Sequence, residues 1–373
     1  MNDSAVNNTG TDGLSIGSIN LNLPVVQAAL SGYSDWPMRM IARRMGAPYT
    51  VHEVMIDTFV NSLKERNKTR RFLMVTEEDH PVGAQLMGSE PHEFALAATR
   101  LAASGFDVID VNFGCPMKKI RNRCRGGMHL DQPDTAIEIL ERVRNAVPAH
   151  VPVTVKMRRG IDDTSESRDK FFAILEGAVH AGIAAATVHG RTVTQKYVGP
   201  SRWQFLSEVR AAFPSLTLLG SGDLFSATDC IHMLNETGVD GVTAARGSIG
   251  NPWIYRAARE LLEGRPEPPP PTVFEQREVM REHFQLAETV YRDGDASRQM
   301  RKFGIRYSRL HPDGDLVRRA FINASSADAW HAVLDKYYSV DRPGVTPCFE
   351  EDPRKVTPAG SALEPNPASV RAG

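Results

Sequence analysis

The sequence predicts an α/β chain: a (β/α)8 TIM barrel followed by a small C-terminal all-helical domain. Three observations predict it. Short β-branched or apolar runs alternate with amphipathic stretches of helical length. Eight such runs fit into about 240 residues, which suits a closed barrel better than an open sheet. A proline run, RPEPPPP at 265–271, then separates them from a helical remainder.

Residues 1–18 are polar and read as a flexible leader, without the basic start and apolar run of a signal peptide. The barrel is expected over 19–265. Its strands are predicted at Val25–Ala29, Tyr49–Val54, Val82–Met87, Val108–Asn112, Val153–Met157, Ala186–His189, Leu216–Ser221 and Gly241–Ala244. Helices are predicted at Trp36–Met45, Pro91–Ala103, Asp134–Ala146, Ser167–Ala181, Trp203–Ala212 and Ser226–Glu236, with a charged, irregular stretch after the second strand in place of a helix. A linker at 266–272 leads to a helical domain over 273–340. The last stretch, 341–373, holds six prolines and few large apolar groups, and reads as a disordered tail.

The 373 residues carry a formal net charge of -1, so any nucleic-acid contact must come from local clusters. The four cysteines, Cys115, Cys124, Cys230 and Cys348, form no CxxC pair, which fits a reducing cytoplasm. No apolar run reaches the ~18 residues that would suggest a membrane span.

In such barrels chemistry sits at the C-terminal ends of the strands. Those ends are polar here: Glu53, Gln85, Asn112 with Cys115, Lys156 with Arg158, His189, Asp223 and Arg246. LLGSGDL at 218–224 and TAARGSIGNPW at 243–253 follow the last two strands with small residues. Small residues let backbone amides approach a phosphate, and Arg246 adds a fixed charge. Lys156 suits stabilisation of negative charge, and His189 suits donation to a ring carbonyl; a surface lysine and a satisfied core histidine are the plainer readings.

Cys115, in VIDVNFGCPMKKI, makes a poor metal ligand, because Cys124 lies nine residues away and no paired His or Cys completes a tetrahedral set. A thiol in a loop at the barrel rim is either a nucleophile or a proton donor. Lys118, Lys119, Arg121, Arg123 and Arg125 crowd the chain just after it. Further on, Arg298, Arg301, Lys302, Arg306 and Arg309 fall within about 140° of a helical wheel, opposite Met300, Phe303, Tyr307 and Leu310. No acid interrupts 298–309, and the stripe suits a nucleic-acid phosphate backbone.

NFGCPMKK, VKMRRG, TVHGRT, SGDL and ARGSIGNPW follow the order and spacing of the tRNA-dihydrouridine synthases. QAALSGYSDWPMR resembles that family's opening motif and VGAQLMGSEP its third-strand motif, so the resemblance spans about residues 22–340, nearest the bacterial B-type branch. It implies an FMN-bound barrel with NADPH as reductant, a helical domain that binds tRNA, and reduction of uridine to 5,6-dihydrouridine. Hydride passes from reduced FMN to C6, and Cys115 protonates C5. The resemblance places Ala29, Leu30, Ser31, Gln85, Lys156 and His189 around the flavin. Ser221, Gly222, Asp223, Ala245 and Arg246 fall at its phosphate. Asn112, Lys118, Lys119, Arg158, Arg191, Arg298, Arg301, Lys302 and Arg306 fall on the uracil or the RNA.

The chain departs from the family pattern at several points. Ala29-Leu30 stands for Pro-Met, Ser221 for Asn, Ala245 for Gly, and RCRGGMHL (123–130) for a small, apolar run. Two alternatives are the same chemistry on another structured RNA or a pyrimidine, and a diverged RNA-binding barrel without catalysis. A monomer is expected, with no metal and no membrane partner.

Overall fold

The computed structural model describes residues 13–64, 69–116, 126–292 and 294–347. A short antiparallel hairpin comes first, β1 (Leu14–Ile16) and β2 (Ile19–Leu21). It falls partly within the stretch expected to be a leader. Leu14, Ile16 and Leu21 are buried against Val26, Val108, Ala185 and Leu219 and close the N-terminal mouth of the barrel. The apolar alternation of LSI and INL is what docks them there.

The barrel strands are β3 (Val25–Gln27), β4 (Thr50–Val51) continued by β5 (Met55–Ile56), β6 (Val82–Met87), β7 (Val108–Phe113), β8 (Val153–Arg158), β9 (Ala185–His189), β10 (Thr217–Ser221) and β11 (Gly241–Ala244). They pair in parallel order, and β11 returns to β3 to close an eight-stranded barrel. The second strand, expected unbroken over Tyr49–Val54, is interrupted where the Glu53 amide leaves the ladder for the carbonyl of Ser34. The Glu53 carboxylate accepts from the Gly32 amide at 2.6 Å, so this break fixes the loop after β3.

Helices α1 (Trp36–Arg44), α2 (Asp57–Ser62), α3 (Pro91–Ala103), α4 (Pro133–Ala146), α5 (Ser165–His180), α6 (Gln204–Ala212), α7 (Ala227–Thr237) and α8 (Ile254–Leu262) surround the strands. Two of them depart from expectation. The short α2 forms where an irregular stretch was predicted, burying Val60. The amphipathic α8 buries Ile254, Tyr255 and Ala258 after the last strand. Elsewhere the ends follow local chemistry: the Asp35 carboxylate caps α1 by accepting from the Met38 amide, and Ser226 with Asp229 forms a capping box on α7.

After the proline run, Thr272 and Glu275 form a second capping box that starts α9 (Val273–Val290). It is followed by α10 (Asp295–Tyr307), α11 (Gly314–Asn323) and α12 (Ala327–Tyr337). Gly304 lets α10 and α11 meet closely, since a Cβ there would lie 2.5 Å from the Phe321 ring. The core of this bundle includes Met38 and Ile41 of α1 and Ile249 of the barrel. The seam carries directional bonds as well: Tyr291 Oη donates to Asp35 at 2.6 Å, and Lys302 Nζ donates to the Gly32 carbonyl at 2.8 Å. Residues 341–347, expected to belong to a disordered tail, pack back on the bundle. The Val273 amide donates to the Arg342 carbonyl, and the Val345 amide to that of Leu310.

Candidate active site

Strand period places the site. On β7, Val111 and Phe113 pack outward in the core while Asp110 and Asn112 share the inner face. Register sets Gln85 beside Asp110, and Asn112 beside Lys156. Hydrogen bonds follow: Gln85 Nε2 donates to Asp110 at 2.6 Å, and Asn112 Nδ2 donates to Gln85 Oε1 at 2.6 Å. Asn112 Oδ1 then accepts from the amides of Gly114 and Cys115 at 2.9 and 3.1 Å. The asparagine therefore shapes the turn that presents the thiol. Behind the turn, a Cβ at Gly126 would lie 2.9 Å from Cys115 Cβ, and one at Gly127 would meet Val193 at 2.7 Å. The two glycines of RCRGGMHL thus make room for the thiol loop.

A cleft of about 460 Å³ opens at this rim. It is lined by Ala29, Leu30 and Ser31 after β3, Gln85 on β6, Asn112 and Cys115, Lys156 and Arg158 on β8, His189 on β9, Ser221, Gly222 and Asp223 after β10, and Ala245 and Arg246 after β11. Sequence reasoning missed Val54, Met87, Tyr197, Phe225 and Thr243, which also line it. Tyr197 and Phe225 flank the Arg246 guanidinium, with ring centroids 5.1 and 5.0 Å away. An aromatic in each of two rim loops was the available signal.

Lys156 Nζ donates to Ser221 Oγ at 3.2 Å. Burial lowers the lysine to about 8, with the Asp110 charge opposing and the Arg158 charge assisting that fall. Burial, then the charges of Arg158, Lys156, Arg191 and Arg246, push His189 well below the usual imidazole range, so it is neutral at pH 7.

Several RNA-facing expectations need correction. Arg191 is 1% exposed. It is held by the Gly199 carbonyl and by Asp223 at 2.7 Å, so it is an internal brace for the loop after β10. Arg158, which also lines the cleft, is buried: its guanidinium donates to the carbonyls of Gly114, Thr192 and Lys196. The Asp223 carboxylate accepts from Arg191 and the Ser201 amide, which leaves backbone amides as that loop's donors toward a ligand. Lys118 and Lys119 lie outside the described residues.

On α10 the basic stripe divides. Lys302 and Arg306 turn toward Tyr33 in the loop after β3, 5.2 and 5.9 Å from its ring. Arg298 and Arg301, with Lys302, line a groove of about 790 Å³ that also draws in Arg71 from the barrel and Arg292. Asp295 pairs with Arg298 at 3.0 Å within it. Among the described residues no cluster of His, Cys, Asp or Glu is arranged to hold a metal ion, and no helix is long and apolar enough to cross a membrane.

Fold and cleft define a parallel (β/α)8 barrel with a rim thiol beside the cations Lys156 and Arg246. Residues 26–339 match the model of the dihydrouridine synthase (Dus) family, and the chain belongs to that family of flavin-dependent oxidoreductases. It is 34% identical over 329 residues to the probable tRNA-dihydrouridine synthase 1 of Synechocystis, covering 87% of this chain and 89% of that relative. To tRNA-dihydrouridine synthase B of Proteus vulgaris it is 31% identical over 323 residues, covering 87% and 98%. Among solved structures, morphinone reductase in complex with tetrahydroNAD shares the barrel fold. Its TM-score is 0.52 at 14% identity, covering 71% of this chain and 93% of that one.

The residues present fit a flavin. The small side chains Ala28 and Ala29 with Leu30 offer an apolar wall, Lys156 and Arg246 supply cations, and the Gly222 loop supplies a backbone cradle. That cradle is tight: Gly222 has φ +112°, and a Cβ would lie 2.4 Å from Ser201 Oγ and 2.7 Å from the His189 ring. Gly222→Ala is therefore expected to weaken flavin binding by about tenfold or more, measured by titrating the flavin-free protein and following absorbance.

Proposed function

We propose that this protein reduces uridine in tRNA to 5,6-dihydrouridine, with FMN as its flavin and NADPH as the reductant. The observation that carries the reading is the meeting of Cys115 with Gln85, Asn112, Lys156, His189 and the Gly222 loop in one rim cleft. When bound, reduced FMN supplies hydride to C6 of the uracil ring. Cys115 donates its S–H proton to C5, leaving a thiolate that regains a proton from solvent, so the C5–C6 double bond is saturated in balance. Lys156 holds positive charge against electron density in the ring system, and neutral His189 offers a hydrogen bond without adding charge.

A base inside folded RNA must leave its stack to reach this thiol, and the rim position of the cleft suits such an extruded base. Arg298, Arg301 and Lys302, joined by Arg71 and Arg292, favour a phosphate backbone laid along the groove between α10 and the barrel. A free pyrimidine has no use for that groove.

The reading predicts a pH limb. Lys156 is charged below about 8 and neutral above it, so flavin reduction by NADPH is expected to slow as pH rises through that value. Lys156→Met should be slow at every pH and lack the limb, as followed by the bleaching of flavin absorbance. The function itself is tested by incubating the FMN-loaded protein with NADPH and unmodified tRNA transcripts. Mass spectrometry of the nucleosides should show uridine gaining two hydrogens. A protein that retains FMN and oxidises NADPH but leaves every transcript unchanged would overturn the substrate assignment.

A further inference from the structure

We infer that Asp110 is a positioning residue that anchors the buried end of an amide relay running to the Cys115 loop and supports the charge on Lys156. It lies behind the cleft wall, beside an internal void of about 30 Å³ whose lining includes Asp110, Thr154, Lys156 and Gln85. Its two carboxylate oxygens accept from different donors, Thr154 Oγ1 at 2.6 Å and Gln85 Nε2 at 2.6 Å.

An ionised carboxylate is acceptor-only, so the Gln85 amide has one admissible orientation, with NH2 toward Asp110 and carbonyl away. That carbonyl can only accept, which fixes the Asn112 amide with its NH2 toward Gln85. Asn112 Oδ1 is then left facing the backbone N–H groups of Gly114 and Cys115. Reversing either amide would set donor against donor in this buried network, which the Asp110 carboxylate holds at one end and the Gly114 and Cys115 N–H groups hold at the other. The ladders explain how it does so: Gln85, Asp110 and Thr154 are lateral neighbours on three strands, and Asn112 is two residues along the same inner face. Burial pushes the Asp110 carboxyl upward, opposed by its bonds from Thr154 and Gln85 and by the Lys156 charge. Reciprocally, the Asp110 charge favours the protonated lysine.

Two substitutions separate polarity from charge. In Asp110→Asn the amide oxygen can still accept from Gln85, and its NH2 can donate to the Thr154 hydroxyl, so the relay keeps its direction while the charge is lost. In Asp110→Leu the acceptor is gone, Gln85 Nε2 loses its partner, and the relay is held from the Cys115 loop end alone.

The first readout is the rate of Cys115 alkylation by N-ethylmaleimide in the flavin-free protein, followed on the Cys115 peptide by mass spectrometry. Asp110→Leu is expected to raise it about tenfold, and Asp110→Asn to leave it within about twofold of the parent. The second is the alkaline limb of flavin reduction, which Asp110→Asn should move to lower pH because Lys156 loses its counter-charge. Equal alkylation rates in the parent and Asp110→Leu, or a limb unmoved in Asp110→Asn, would overturn the inference. If Asp110→Leu does not fold, alkylation of Asp110→Ala, which removes the same acceptor, decides the relay and the Asp110→Asn limb decides the charge. The inference rests on the proposed function only for the second readout: a parent protein that takes up no FMN contradicts that function, while alkylation still tests the relay.

Discussion

Cys115→Ala is expected to lower dihydrouridine formation by about 10²–10⁴-fold, the range for removing a positioned general acid. Flavin content and NADPH oxidation should persist. The loop has its own supports, because the Cys115 amide still donates to Asn112 and the Gly127 amide to the Cys115 carbonyl, and neither bond uses the thiol. The loss should therefore fall on turnover, with binding of tRNA nearly unchanged. Cys115→Ser is the sharper control. A hydroxyl fills similar space but is a far weaker acid, so it should not restore the rate. Single-turnover mixing of pre-reduced protein with tRNA reads this directly, since reoxidation of the flavin by RNA should stall in both variants. Full reoxidation in Cys115→Ala would remove the thiol from proton transfer.

Asp79→Ala is expected to destabilise the protein by about 3–5 kcal/mol, the usual cost of stranding a buried charge. Arg39 and Asp79 are both 0% exposed at the side chain, and they pair through Nε at 3.1 Å and a second guanidinium nitrogen at 2.5 Å. One further bond runs from Arg39 to the Met74 carbonyl at 2.9 Å. Removing the carboxylate leaves a guanidinium in the interior with that carbonyl as its remaining partner among the described residues. Urea unfolding should show a lower midpoint. The double variant Arg39→Met with Asp79→Ala should recover much of the loss, because both charges are then gone. The pair also bears on the site: it ties α1 to the chain entering β6, and α1 carries the loop whose Ala29, Leu30 and Ser31 line the cleft.

Periodic features were the legible ones. Runs such as VGAQLM and VTVKMR mark barrel strands because parallel strands are buried on both faces, and rim polarity then marks the functional end. The rim positions expected around a flavin do meet in one cleft, including the departures Ala29, Leu30, Ser221 and Ala245. Ser221 serves as acceptor for Lys156, a part a hydroxyl can take as well as an amide.

Partner choice was not legible. Arg158 and Arg191 look like surface cations in VKMRRG and TVHGRT, yet carbonyls and Asp223 from distant parts of the chain bury them. A wheel drawn on α10 puts Lys302 and Arg306 with Arg301, but it carries no information about Tyr33, some 270 residues earlier in the chain, which turns both toward the barrel. Asp110 was passed over inside an apolar run, where its inward face becomes visible only through register with Gln85 and Thr154. The short α2 and the β1–β2 hairpin are stabilised by burial against the barrel, and segments so short carry little periodic signal of their own.

The central claim is that this chain reduces uridine in tRNA. A dihydrouridine map across tRNA and ribosomal RNA, taken from cells with and without the gene, tests it most directly. The expected result is loss of dihydrouridine at a defined tRNA position, restored by the parent gene and not by Cys115→Ala. Unchanged tRNA, with dihydrouridine lost only from ribosomal RNA or from no RNA, would contradict it.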